Sequence, residues 1–200
     1  MTSLRLSLVA AVSAVALLSA CQKPREPAAN EMATANDMGA MNEAAPGATM
    51  QSAQLVDGMG KAIGEVAMSE DANGLTLKVT ATGLPAGTHG VHLHEKGMCD
   101  GPKFESAGAH WNPASKQHGR DNPMGAHLGD LANIEAADGA EASSSYLVAG
   151  VTMGGTGNAL ADADGTSLVI HAKADDYKTD PSGNSGDRVA CAVLAPPMGG

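Results

Sequence analysis

From about residue 52 onward the chain alternates apolar and polar positions over short stretches, and a period of two predicts β-strands. "GLTLKVTATGL" sets Leu75, Leu77, Val79 and Ala81 on one face against Thr76, Lys78 and Thr80 on the other, the pattern of a half-buried strand. "KAIGEVAMSE", "SSSYLVAGVTM", "SLVIHAK" and "RVACAVLAP" are further strands. "DANG" at 71–74 and "ADGA" at 137–140 supply hairpin-type turns. No amphipathic helix of useful length interrupts them, so the fold class is all-β, a sandwich or barrel. Between residues 98 and 130 the alternation stops and Gly, Pro and His take over. A loop of that length inside a compact domain is usually functional.

Ahead of the strands the text is different. Residues 1–20, "MTSLRLSLVAAVSAVALLSA", carry one charge, Arg5, and then an apolar run too short for a membrane span, so they read as a secretory signal. The run ends in "LLSAC", which resembles the bacterial lipobox, where cleavage leaves the cysteine, here Cys21, as a lipidated N-terminus. Acyl chains on Cys21 would hold the protein at a membrane without a span. Gln22 after that cysteine leans towards the outer membrane by the usual sorting pattern. Residues 21–51 are rich in Ala, Met, Asn, Glu, Pro and Gly, lack apolar periodicity and read as a flexible tether, leaving 52–200 as the folded domain. The tether's Met32, Met38, Met41 and Met50 have thioethers suited to Cu(I), although low-complexity drift accounts for them as well.

Composition narrows the function. The net charge is −10, and −11 once the leader with Arg5 is gone; there is no basic stripe and only four aromatic residues, which excludes nucleic acid. With Cys21 lipidated, Cys99 and Cys191 remain as an even pair in an oxidising compartment and read as one disulfide.

The scarce imidazoles are not scattered. His92 and His94 in "THGVHLHE" share one face of a strand, with Val91 and Leu93 on the core face; His171 ends the strand "SLVIHAK", opposite in parity to Leu168 and Ile170. The long loop adds His110, His118, His127 and Asp130. Six or seven imidazoles with one carboxylate are too many for one tetrahedral zinc and about right for two metals. Three imidazoles and a carboxylate suit zinc, and three or four flattened imidazoles suit Cu(II).

Five motifs in order now resemble one family over about residues 52–197. "GVHLHE" resembles a copper-binding strand, "AGAHWNP" a metal-bridging histidine, and the spacing His110, His118, His127, Asp130 a zinc loop; "VIHAKADD" and "GDRVACAV" complete the series. The family is copper/zinc superoxide dismutase, and the "EKGMCD" neighbourhood of Cys99 is closer to its bacterial members. The resemblance implies an eight-stranded Greek-key barrel binding one copper and one zinc. Copper would be held by His92, His94, His110 and His171, and zinc by His110, His118, His127 and Asp130, with His110 shared and catalytic. Asp175 would link a copper histidine to a zinc histidine, Arg188 would dock the superoxide anion, Cys99 and Cys191 would be the disulfide, and His89 would be a structural hydrogen-bonder. Trp111 would pack the loop or a subunit contact. The segment "DDYKTDPSGNSGDR" is short and carries its charges differently from the familiar electrostatic loop. Steering of the anion would then fall to Arg188 and neighbours such as Lys116, Lys173 or Lys178.

The expected function is dismutation of superoxide to oxygen and hydrogen peroxide, on the periplasmic side of a bacterial cell envelope. The rival is a copper-buffering or copper-delivering protein on the same fold. A pure binder has no need of a bridging imidazolate or an anion-docking arginine. Monomer and homodimer both stay open.

Overall fold

The computed structural model describes residues 50–199; the leader, Cys21 and the tether up to residue 49 lie outside the described residues. Strand β1 (Met50–Asp57) pairs antiparallel with β2 (Ala62–Asp71), and β2 with β3 (Gly74–Ala81). Met50 and Gln51, grouped with the tether by composition, are therefore already in the ladder, opposite Ser69 and Met68. The "DANG" turn closes the β2–β3 hairpin with Asp71 opposite Gly74. Asp71 Oδ1 accepts the N–H of Asn73 at 2.7 Å, the local side-chain bond that suits Asp to turns.

Two short strands follow, β4 (Gly87–His89) and β5 (Val91–His94), separated by Gly90. β4 pairs with β6 (Ile134–Ala136), whereas β5 pairs with β10 (Thr166–His171). The chain thus changes partner at Gly90, where a Cβ would come within 3.0 Å of Ser185 and 3.3 Å of the His92 ring. β7 (Ala142–Ala149) pairs with β3, and the short β8 (Val151–Thr152) and β9 (Asn158–Ala159) pair in parallel. β11 (Arg188–Ala195) lies between β10 and β1. The ladder order of the main sheet is β5-β10-β11-β1-β2-β3-β7. Because β6 bonds to β4 and also packs beside β7, the sheet curls round on itself. Taking β4 and β5 as one broken strand, the circuit holds eight strands, the expected Greek-key barrel, with β8–β9 as an appended pair.

The alternation seen in the sequence fills this barrel. Leu55, Leu75, Leu77, Val79, Val91, Leu93, Leu168 and Ile170 are fully buried in one core, each stabilising the fold by about 1.5–3 kcal/mol. Trp111 packs into the same core. A second, smaller cluster of Phe104, Ala107, Val169 and Cys191 lies on the other face of β10 and β11. Val169 and His171 share that face by strand parity. The long loop covers it, which is why β5 and β10 are buried on both sides.

Candidate metal centre

The loop is laced to the unpaired side of β5. Leu93 N–H donates to Gly129 O, Leu131 N–H to Val91 O, Trp111 N–H to Leu93 O and Glu95 N–H to Ala109 O. Isolated bridges set His92 beside Asp130 and His94 beside His110. A single 3₁₀ turn (Glu105–Ala107) is its only regular element, and the Cys99–Cys191 disulfide ties its start to β11. The loop is thereby held over the histidine-bearing face of the barrel.

Two groups of four have ligand atoms within 4.8 Å of one another: His92, His94, His110 and His171, and His92, His110, His118 and Asp130. His110 belongs to both. Its ring centre lies 3.9 Å from that of His92, 5.0 Å from His94, 5.2 Å from His118 and 5.5 Å from His127. The second group contains His92 where the sequence puts His127. Two contacts favour His127 as the member there: its Nδ1 lies 3.1 Å from Asp130 Oδ1, whereas His92 Nε2 is taken by Asp175. Three imidazoles converge on that one carboxylate oxygen, from His110 Nδ1 at 3.1 Å, His118 Nδ1 at 3.0 Å and His127 Nδ1.

The first group answers a chemical test for a cation. His92 Nδ1, His94 Nε2 and His171 Nε2 are buried without any hydrogen-bond partner. Buried polar atoms are nearly always paired, so three orphaned ring nitrogens in one cluster mark a place for a metal. The other nitrogen of each ring is engaged: His92 Nε2 with Asp175 Oδ2 at 2.9 Å, His94 Nδ1 with Gly108 O at 3.0 Å, His171 Nδ1 with Gly186 O at 3.2 Å. Contacts of this kind fix the tautomer and aim the free lone pair. Charge points the same way. Burial lowers the basicity of His92 and His94, lowers His110 to about 4 and His171 to about 3. All four imidazoles are therefore neutral at neutral pH, the form that binds metal.

On the other side, burial would raise Asp130 and disfavour charge on His118. Hydrogen bonds from His110, His118 and the Gly119 N–H outweigh this and hold Asp130 far below the usual carboxylate range. Bonds to Asp130 and Asp175 raise His118 to about 9. Asp175, buried too, is held low by His118 and His92. Its carboxylate spans the two groups, Oδ2 to His92 Nε2 and Oδ1 to His118 Nε2 at 3.0 Å. His89 stands apart: Nδ1 faces His171 O at 2.7 Å and Nε2 faces Pro85 O at 2.8 Å, so both its ring nitrogens are engaged with backbone carbonyls.

Arg188 reaches from β11 to the loop, with Nη1 donating to Phe104 O and Nη2 to Gly108 O, both at 2.6 Å. It lines an open depression of about 560 Å³ with Pro102, Lys103, Glu105, Gly186 and Asp187. Of the lysines named from sequence, Lys173 packs beside Gly186 at that mouth, whereas Lys116 lines a separate groove next to His127. Lys103 escaped the sequence reading, because nothing in a loop's spelling shows which way a lysine faces.

A family model described as copper/zinc superoxide dismutase (SODC) matches residues 62–194. A Cu-Zn superoxide dismutase of Caulobacter vibrioides is 48% identical over 141 residues, 68% of this chain and 80% of that one. A Cu-Zn superoxide dismutase of Aquifex aeolicus is 42% identical over 144 residues, 71% of this chain and 84% of that one. Among solved structures, a superoxide dismutase-like protein from Bacillus subtilis superposes with a TM-score of 0.69 at 40% identity, over 73% of this chain and 99% of that chain. The Cu/Zn superoxide dismutase from Brucella abortus gives a TM-score of 0.57 at 28% identity, over 73% and 99%. With a family model spanning most of the barrel and the whole metal loop, the chain belongs to the copper/zinc superoxide dismutase family.

Proposed function

We propose that the chain dismutates superoxide to oxygen and hydrogen peroxide at a dinuclear site in the cell envelope. Copper is held by His92, His94, His110 and His171, and zinc by His110, His118, His127 and Asp130, one of each per chain. The carrying observation is the trio of orphaned nitrogens, His92 Nδ1, His94 Nε2 and His171 Nε2, next to His110, whose Nδ1 faces Asp130.

When bound, copper supplies a one-electron couple and zinc a fixed charge. The rest is the work of this chain's side chains. Arg188 presents a cation to a small anion, and the carbonyls of Phe104 and Gly108 hold its guanidinium in place. It keeps donors to spare, since a guanidinium has five N–H groups. Two superoxide anions and two protons yield one oxygen and one peroxide, so the site must also deliver protons. His110 is placed for this: its Nδ1 lies beside Asp130 on the zinc side, and its other nitrogen, the one that would hold copper, could take a proton and return it. Buried walls around the imidazoles exclude bulk water.

Residues 1–20 are read as a secretory signal and Cys21 as a lipid anchor on the periplasmic side, leaning to the outer membrane. A Cys21→Ser variant should then move from the membrane to the soluble fraction.

The deciding experiment measures superoxide dismutation by residues 22–200 with bound copper and zinc quantified, beside His110→Ala. Fast turnover with one copper and one zinc per chain, collapsing in the variant, supports the enzyme. Stoichiometric copper with negligible turnover would replace it with the copper-handling reading.

A further inference from the structure

Asp175 belongs to a stretch with no ladder to hold it, in the segment between His171 at the end of β10 and Arg188 at the start of β11. Its carboxylate nevertheless meets two rings at once, at 2.9 and 3.0 Å. Something other than secondary structure must set its position and its rotation.

The geometry points to Asn133 as the positioning residue for Asp175, and through it for the rings of His118 and His92; this rests on the dinuclear reading above. Asn133 lies three residues beyond Asp130, on the far side of the loop's last bridge. Its carboxamide closes a two-point contact on a single residue: Nδ2 donates to Asp175 O at 3.0 Å, and Oδ1 accepts from Asp175 N–H at 3.0 Å. One hydrogen bond lets its partner swivel, whereas two antiparallel bonds to the same backbone fix direction as well as distance. A third contact locks the pair. Asn133 N–H donates to Tyr177 Oη at 2.8 Å, and Tyr177 N–H donates to Asp175 Oδ1 at 2.8 Å. The Arg120 guanidinium covers the Tyr177 ring at 5.6 Å from its centre. Asn133 touches neither metal group itself. It acts by presenting Asp175.

Chemistry singles out Asn at this position. Aspartate keeps the acceptor but turns the donor into a second oxygen facing Asp175 O. Glutamine adds a methylene and cannot close both bonds from the same Cα. Partners that orient ligands typically contribute about 10- to 100-fold in metal affinity, and that is the scale expected here.

The test is a double-mutant cycle on full mature chain: Asn133→Ala, Asp175→Ala and the pair, with zinc affinity read by chelator competition and thermal midpoints read on the metal-free proteins. His118→Ala is the control for the reading beneath. Asn133→Ala should weaken zinc about 10- to 100-fold with copper retained, and should add little once the Asp175 carboxylate is gone. A merely structural asparagine would lower the midpoint and weaken zinc equally in both backgrounds. That outcome, or zinc affinity unchanged within about threefold, overturns the inference. If Asn133→Ala does not fold, Asn133→Asp carries the same cycle in the same shape. Zinc retained in His118→Ala would instead sink the dinuclear reading itself.

Discussion

His171 and Arg188 stand opposite each other in the β10–β11 ladder, at a point where the register shifts between Ile170 and His171. Residues directly opposed in an antiparallel pair project to the same face, and irregularities of this kind re-aim side chains beside active sites. The imidazole and the guanidinium therefore reach the loop side by side. Each meets a carbonyl from a different segment: Gly108 O, in the 98–130 loop, accepts from Arg188 and from His94, and Gly186 O, in the connection between β10 and β11, faces His171.

Arg188→Ala removes the cation proposed to dock the anion, without touching a ring nitrogen. Its copper and zinc content should match the parent, while kcat/KM for superoxide falls about 10- to 100-fold, the worth of a charge-assisted hydrogen bond. Arg188→Lys keeps the charge but cannot bridge Phe104 O and Gly108 O, and its rate should fall between the two. An unchanged rate in Arg188→Ala, measured at low and high salt, would remove Arg188 from the reaction.

The disulfide joins residues 92 apart in sequence. A loop of that length stabilises the fold by about 4.6 kcal/mol in the chain-entropy account. The Cys99→Ser, Cys191→Ser double variant should unfold at lower denaturant by roughly that margin. Because Phe104 O and Gly108 O lie in the loop it tethers, turnover should drop as well. Full activity alongside the stability loss would show that the loop keeps Arg188 in place unaided.

Much of this was legible in the sequence, for reasons that separate cleanly. Period-two alternation marks Leu75, Leu77 and Val79 as core because their strand has one wet face. Fixed spacings mark the seven ligand candidates because the rings must converge. What stayed hidden has no period. Asn133 and Tyr177 are polar residues in loops that meet across more than forty residues of sequence, as Asn133 does with Asp175, and Gly183 is a small residue packed against Asp175 and His118. Burial of both faces of β5 was equally invisible, since the cover is a loop rather than a strand. The break at Gly90 reflects a close approach to Ser185 that only the folded chain reveals.

Gly183 offers a sharper probe of the linking carboxylate. It has φ +63°, and a Cβ there would collide with Asp175 Oδ1 and lie 2.7 Å from His118 Nε2. Gly183→Ala therefore carries backbone strain of about 1 kcal/mol and must push Asp175 aside. Zinc affinity should fall more than the metal-free thermal midpoint would suggest. Retention of zinc at parental affinity would mean that the Asp175–His118 contact does not orient the ligand.

Asp176, next to Asp175 but facing solvent, organises the same segment and does so in a pH-dependent way. Its carboxylate accepts from the Thr179 N–H at 2.8 Å, the Thr179 hydroxyl at 2.7 Å, the Lys178 N–H at 2.9 Å and Asn184 Nδ2 at 2.9 Å. These donors, the Thr179 N–H foremost, pull it from 3.8 to about 2. A carboxylate depressed in the folded state contributes stability that is present above its unfolded value and is lost as pH falls through its folded value. Asp176→Asn keeps one acceptor oxygen and has no charge to lose. In the metal-free proteins, where protons do not compete with metal, the parent should therefore be the more stable at pH 6. The gap should close between about pH 4 and pH 2. Thermal midpoints of the two proteins across that range decide it: a gap that stays constant into acid, or opens there, would mean that the Asp176 charge does not hold the turn carrying Thr179 and Asn184.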